Sequence, residues 1–266
     1  MTPIVIHDPE DPRVADYRQI RERDLTGRRG LFVAEGAVVL NVLASPQSRC
    51  RAVSALIAEQ RIETLRPVLE QLDAPVYAAG QGVMDAVAGF PIHRGILALG
   101  EKPAEPDLAD LLTAAPDDAL VVAVCGVGNH DNMGGIFRNA AAFGAHAVLL
   151  DARCCDPLYR KAIRVSVGAA LITPFARAAD GEAVVRALAD AGYEPIALTP
   201  GAEEPLSAVR PDGQCALIVG AEGPGLSEAV MRRCRRVAIP MAEGFDSLNV
   251  ATAAAIALHH LRAVQA

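Results

Sequence analysis

Apolar runs and helical periodicities alternate along the chain, and the alternation changes character before its middle. Residues 1–29 are polar, with prolines at 3, 9 and 12, and read as an arm that turns helical near Val14–Arg23. From Leu31 the pattern is globular. Phe32–Ala34 reads as a strand, Ala37–Leu43 as a helix, Val53–Ile57 as an apolar strand-like run and Ile62–Leu72 as a helix, with short strands at Val76–Tyr77 and Ile96–Leu99. Residues 30–100 thus form a small α/β unit. Residues 101–117, with Pro103, Pro106, Pro116 and several acids, read as a linker, with one or two helical turns at Leu108–Thr113.

From residue 118 to 266 the alternation is regular. Strands are expected at Leu120–Cys125, Ala147–Leu150, Pro195–Leu198, Cys215–Gly220 and Val237–Ile239. Helices are expected at Gly134–Phe143 (closed by Gly144), Tyr159–Val167, Gly181–Ala191, Leu226–Cys234 and Leu248–Val264. Continuous apolar strands alternating with helices imply a parallel sheet covered on both faces. These rules alone draw an open, doubly wound sheet.

Composition narrows the picture. The chain has 266 residues, 52% of them apolar, enough to bury a core without disulfides or metals. There is no Trp, with 4 Tyr and 6 Phe, which argues against RNA-binding modes that stack bases on several rings. The net charge of −7 counts against a nucleic-acid partner on its own. The cations are 23 Arg against 2 Lys, a ratio that GC-rich codon usage explains as well as phosphate binding does. Arg13, Arg18, Arg21, Arg23, Arg28 and Arg29 crowd the N-terminal arm, and Arg232, Arg233, Arg235 and Arg236 form a second cluster. Each cluster is either a phosphate-contacting patch or a solvated face. The six cysteines make no C-x-x-C pair and have no histidine at zinc spacing, so they read as small buried hydrophobes with no metal. No apolar segment reaches the length of a membrane span, and the first residues lack the basic start and apolar run of a signal peptide, so a cytoplasmic location is expected.

Three glycine loops follow strands, where parallel sheets bind ligands. Residues 125–144 mimic a dinucleotide fingerprint but carry Asp131 where the third glycine belongs. Residues 220–227 nearly spell a phosphate-binding loop, but Leu226 replaces its lysine. The third loop lies in 239–260. Asn129, Asn132, Arg138, Glu222, Ser247 and Asn249 on or beside these loops are polar groups that a core would not need.

At these loops the chain resembles the SpoU/TrmH-type RNA 2′-O-ribose methyltransferases of the SPOUT superfamily. The first motif is matched by Asn129, Asn132, Gly134, Arg138, Ala141, Phe143 and Gly144. The second is matched by Leu217–Ser227, and the third by Ile239–Met241 with Ser247–Val250. His130-Asp131 and Phe245-Asp246 depart from the usual pattern at positions that could alter substrate choice. The resemblance implies an α/β fold with a parallel sheet and C-terminal trefoil knot in residues 118–266, preceded by an L30e-like RNA-binding domain. It implies S-adenosyl-L-methionine as cofactor, contacted by Gly220, Ile239, Leu248, Met241 and Leu198. It also implies RNA as substrate, with rRNA favoured over tRNA, and a homodimer whose second subunit completes the site. Arg138, Asn132, Ser247, Asn249 and Glu222 become the catalytic candidates. Arg138 would grip the target phosphate and stabilise the developing alkoxide, since guanidinium is a poor base. Asn132 and Ser247 would orient it or the ribose, and Asn249 and Glu222 would shape the pocket. A non-catalytic RNA-binding or assembly protein on the same fold is the competing expectation.

Overall fold

The computed structural model describes residues 1–18 and 25–265. Arg21, Arg23 and the side chain of Arg28 lie outside the described residues. The chain forms two compact units, Met1–Pro103 with Leu158–Ile172, and Ala104–Pro157 with Thr173–Ala266.

The first unit is built on a five-stranded sheet of β1 (Ile4–Ile6), β2 (Leu31–Glu35), β3 (Arg51–Ala58), β4 (Val76–Ala79) and β5 (Ile96–Glu101). Its order is β1-β4-β3-β5-β2. The β1, β4 and β3 strands run parallel, whereas β5 is antiparallel to both β3 and β2. Its helices are α1 (Ala37–Ala44), α2 (Ile62–Leu69) and α3 (Gln81–Ala88).

Two findings differ from the sequence reading. The N-terminal segment is tied down: Ile4–Ile6 pairs with Tyr77–Ala79, and a short 3-10 turn at Pro12–Tyr17 buries Val14 and Tyr17, whose hydroxyl meets Ser54 Oγ at 2.8 Å. Three apolar residues between prolines are too few to show a period. Among the described residues its cations are paired with nearby acids, Arg13 with Asp11, Arg18 with Glu10 and Arg29 with Asp16. The other difference is that residues 158–172 group with this unit. They contain a short helix, Arg160–Val165, and are held by Arg160 to Glu35 at 2.9 Å and by the Arg49 N–H donating to Leu171 O at 2.9 Å.

The second unit carries a six-stranded, wholly parallel sheet. Its strands are β6 (Leu120–Cys125), β7 (Ala147–Asp151), β8 (Phe175–Ala178), β9 (Glu194–Leu198), β10 (Cys215–Gly220) and β11 (Arg235–Val237). The order is β11-β9-β10-β6-β7-β8. Every residue of β6 is buried, as its unbroken apolar run requires of a strand covered on both faces. The helices are α4 (Leu108–Thr113), α5 (His130–Ala142), α7 (Gly181–Asp190), α8 (Glu228–Met231) and α9 (Val250–Gln265), with Arg160–Val165 taking the place of α6 in chain order. No helix among the described residues is long and apolar enough to cross a membrane.

Register places the site. Gly220 pairs with Cys125, so the loops after β10 and β6 leave the sheet side by side. Leu198 pairs with Val237, bringing the ends of β9 and β11 alongside. The α5 helix starts at His130, four residues earlier than the sequence suggested, because Gly134 and Gly135 lie inside it. Gly135 is required where α9 crosses: a Cβ there would stand 2.7 Å from Ala251 Cβ. Gly135→Val should therefore overpack the α5–α9 seam by about 1–3 kcal/mol. At roughly 2–4 °C per kcal/mol the melting temperature should fall by several degrees in calorimetry. Unchanged melting would contradict the close approach.

Candidate functional site

Three loops converge beyond the sheet through one hydrogen-bonded cluster. Asn129 caps α5, its Oδ1 accepting from the N–H groups of Asp131 (2.8 Å) and Asn132 (3.2 Å). That fixes Asn132 in the first turn of α5, where it is 5% exposed. Its Nδ2 donates to Glu222 Oε1 at 2.6 Å, in the loop after β10. Asn249 Nδ2 donates to Asn132 Oδ1 at 2.8 Å and approaches Glu222 Oε1 at 3.3 Å. Asn249 Oδ1 caps α9 by accepting from Ala251 and Thr252 N–H at 3.0 and 3.2 Å. This cap is why α9 begins at Val250 rather than at Leu248.

The loop after β10 turns sharply enough to need Gly220. A Cβ there would lie 2.5 Å from the Gly225 carbonyl carbon and 2.6 Å from the Leu226 nitrogen, both backbone atoms that cannot yield. Gly223 and Gly225 adopt positive φ in the same turn.

Beneath the cluster lies a cavity of about 560 Å³. Leu198, Gly220, Ile239, Met241 and Leu248 all line it, and so do Glu222, Ser247 and Asn249. Its wall mixes apolar side chains with the polar groups of Glu222, Ser247 and Asn249. Asn132 is joined to it through Glu222 and Asn249. Arg138 is not among the lining residues. It is exposed on α5, six residues or about 9 Å along the axis from Asn132, and has no hydrogen-bond or ion-pair partner among the described residues.

The sequence reading missed Asp151, fully buried at the end of β7. Its Oδ1 accepts from the N–H groups of Gly126 (2.9 Å) and Arg153 (3.0 Å), and its Oδ2 lies 3.3 Å from the Arg153 guanidinium. It braces the loop after β6, where Gly126 takes positive φ. An acid ending an apolar strand was the available signal. Thr199 and Pro200, just past β9, also line the cavity and were not singled out. Of the second arginine cluster, Arg235 is held by Glu194 (2.9 Å) and Glu204 (2.5 Å), whereas Arg232, Arg233 and Arg236 are exposed.

An open parallel sheet with an apolar slot and polar rim at its strand ends defines a binding site for a small cofactor-like molecule. The SpoU rRNA Methylase family model matches residues 119–259. A relative in Mycobacterium bovis, described as an uncharacterized tRNA/rRNA methyltransferase, is 41% identical over 95% of this chain and 89% of its own length. Among solved structures, the AdoMet-bound rRNA methyltransferase from Sinorhizobium meliloti superposes with a TM-score of 0.83 at 22% identity, covering 98% of this chain and 97% of that one. A structure described as an RNA 2′-O ribose methyltransferase matches at 25% identity and a TM-score of 0.78, over 98% and 99% of the two chains. The chain belongs to the SpoU methylase family.

Two outcomes test this geometry. Asn249→Ala removes a helix cap and two amide hydrogen bonds and should cost about 1–3 kcal/mol. Asn249→Ser restores a capping oxygen but not the amide donor, so stability should recover while ligand affinity of the cavity does not. Denaturant titration and calorimetric binding separate the two; joint recovery would show that only the cap matters. The thiols give the other test. Burial pushes Cys50, Cys125, Cys154 and Cys215 up to about 12 and Cys155 and Cys234 up to about 11. At pH 8 all six are neutral, and native protein should take up iodoacetamide far more slowly than denatured protein. Rapid labelling of Cys50, Cys125, Cys154 or Cys215 in the native state would contradict its burial.

Proposed function

We propose that this protein transfers a methyl group from S-adenosyl-L-methionine to a ribose 2′-hydroxyl of structured RNA, ribosomal RNA ahead of transfer RNA, as a homodimer. The observation that carries the reading is the coincidence of sequence and space: the motif residues Gly220, Ile239, Met241 and Leu248, from separate loops of the chain, line one cavity together with Leu198. The cavity fits the cofactor in kind. The side chains of Leu198, Leu226, Ile239, Met241 and Leu248 suit a purine, and the tight turn at Gly220 contributes to the same lining. Bound there, S-adenosyl-L-methionine supplies an electrophilic sulfonium methyl.

The chain's residues then hold the acceptor. Glu222 and Asn249 fix the rim through Asn132. Ser247, exposed in the cavity lining, offers a hydroxyl to the ribose. Arg138 binds the target phosphate bidentately and offsets charge developing on the 2′-oxygen. Because Arg138 stands outside the cavity of its own chain, it acts across the dimer, on RNA presented to the partner's site.

Ribose-methylation mapping of total RNA from a deletion strain against its parent tests the function: loss of one or a few 2′-O-methyl positions is expected. Calorimetry must find binding of S-adenosyl-L-methionine, and its absence in folded protein would favour a non-catalytic RNA-binding role. Arg138→Ala and Arg138→Lys should each cut methyl transfer about 100-fold or more, because lysine keeps the charge but loses the fork. Cofactor affinity should not change. If Arg138→Lys keeps most activity, the bidentate role is wrong. Sedimentation at micromolar concentration should give a species heavier than the 27.8 kDa of one chain.

A further inference from the structure

A second concavity of about 540 Å³ lies against the first in the C-terminal unit. The two share Pro200, Ile239, Met241 and Asp246 as a common wall. On the far side are Pro205 and Pro240, rigid and flat, with Glu203 and Phe245. Phe245 is 76% exposed, the most exposed large hydrophobic side chain among the described residues. It is presented by a built turn: Gly244 takes a φ of +85°, and the Phe245 N–H donates to Ala242 O at 3.2 Å. Leaving a phenyl ring in water forgoes roughly 1.5–3 kcal/mol of burial, in a chain with few aromatic residues to spend.

The charges are selective as well. Glu203 and Asp246 are exposed and have no hydrogen-bond or ion-pair partner among the described residues. Next to Glu203, Glu204 is clamped by Arg235, so the segment is anchored while Glu203 stays free to accept. Two free carboxylates repel phosphate and accept from N–H donors.

We infer that this second concavity seats the nucleobase of the target nucleotide, with Phe245 stacking on its face and the carboxylates of Glu203 and Asp246 accepting from its N–H edge. The inference rests on the methyl-transfer reading and names the group that places the acceptor ribose at the shared wall. An unpaired base is recognised by stacking on an aromatic ring and by hydrogen bonds to its edge. Guanine, cytosine and adenine carry an exocyclic amino group with two N–H donors, one for each carboxylate, whereas uracil carries a single N3–H between two carbonyl oxygens that a carboxylate repels. The target is therefore a guanosine, cytidine or adenosine.

Full-length enzyme, tritiated S-adenosyl-L-methionine and total RNA from the deletion strain provide the test. Base stacking is worth about 1–3 kcal/mol per base, so Phe245→Leu should lower kcat/KM roughly 5- to 150-fold. Phe245→Trp should retain activity, and calorimetric affinity for S-adenosyl-L-methionine should be unchanged in both, since Phe245 does not line the cofactor cavity. Nuclease digestion should place the label on the ribose of a nucleotide other than uridine. The chain has no Trp, so Phe245→Trp is also the sole tryptophan reporter. Its fluorescence should be quenched by a short mixed-sequence single-stranded RNA in the presence of S-adenosylhomocysteine. Full activity of Phe245→Leu, a methylated uridine, or unquenched fluorescence would each overturn the inference. Quenching without methyl transfer by the wild type would leave the base site standing and sink the methyl-transfer reading instead.

Discussion

The contact on which the second unit depends is the tie between Asn132, Glu222 and Asn249. One carboxylate oxygen meets two amide donors at 2.6 and 3.3 Å, and the amides bond one another at 2.8 Å. Hydrogen bonds to a charged acceptor are worth more than neutral ones, and each partner lost leaves the others orphaned. The three residues come from three loops separated by 90 and 27 positions in the chain. Those loops contain Gly126, Gly223, Gly225 and Gly244 at positive φ, so their backbones would otherwise be the most permissive part of the unit. The tie also reaches secondary structure, because Asn249 caps α9 and Asn132 sits one turn past the cap of α5. It can close only because Gly135 lets α5 and α9 approach. Small residues at a helix seam and polar groups at a pocket rim are thus parts of one arrangement.

Much of this was legible in the sequence, for specific reasons. The strands β6 and β10 are unbroken apolar runs whose length and flanking glycines leave little choice. The short helix Leu108–Thr113 was readable because Asp107 caps it with two hydrogen bonds. The residues expected to contact a cofactor came from motif resemblance, and Leu198, Gly220, Ile239, Met241 and Leu248 line one cavity. Other features were hidden by competing signals. Gly134 and Gly135 look like loop residues, and only the neighbouring helix explains their place inside α5. The four-residue β8 is broken in hydropathy by Arg177, whose guanidinium reaches Glu105 and the carbonyls of Cys154 and Cys155. The α3 helix was masked by Gly80, Gly82 and Gly89 around its buried Met84 and Val87. Nothing local could show that residues 158–172 group with the first unit, since the ion pair with Glu35 spans 125 positions.

The fate of the arginines shows why composition decides little here. Arg13, Arg18, Arg29, Arg51 and Arg66 are spent on nearby acids, and Arg235 on two. Exposed pairs of this kind stabilise the fold by little, but they cancel local charge. Other arginines remain available to an anionic partner: Arg61, Arg94, Arg138, Arg164, Arg186, Arg210, Arg232, Arg233 and Arg236 are exposed and form no ion pair among the described residues. A net charge of −7 and an RNA substrate are compatible on these terms, because a polyanion responds to the cations it can reach and not to the sum over the chain.

The acids follow the same logic in reverse. Glu222 is held by amides and Asp151 by backbone N–H groups, so both serve as rigid acceptors that shape loops. Glu204 is neutralised by Arg235, whose guanidinium holds its carboxyl below the usual range. Glu203 and Asp246 alone among the acids of the two concavities have no such partner. A phosphate is disfavoured beside them, and an N–H donor is favoured. An RNA nucleotide presents both chemistries, a phosphate on one side and a base edge on the other. The unpaired guanidinium of Arg138 on α5 and the unpaired carboxylates of Glu203 and Asp246 are therefore suited to opposite ends of such a nucleotide.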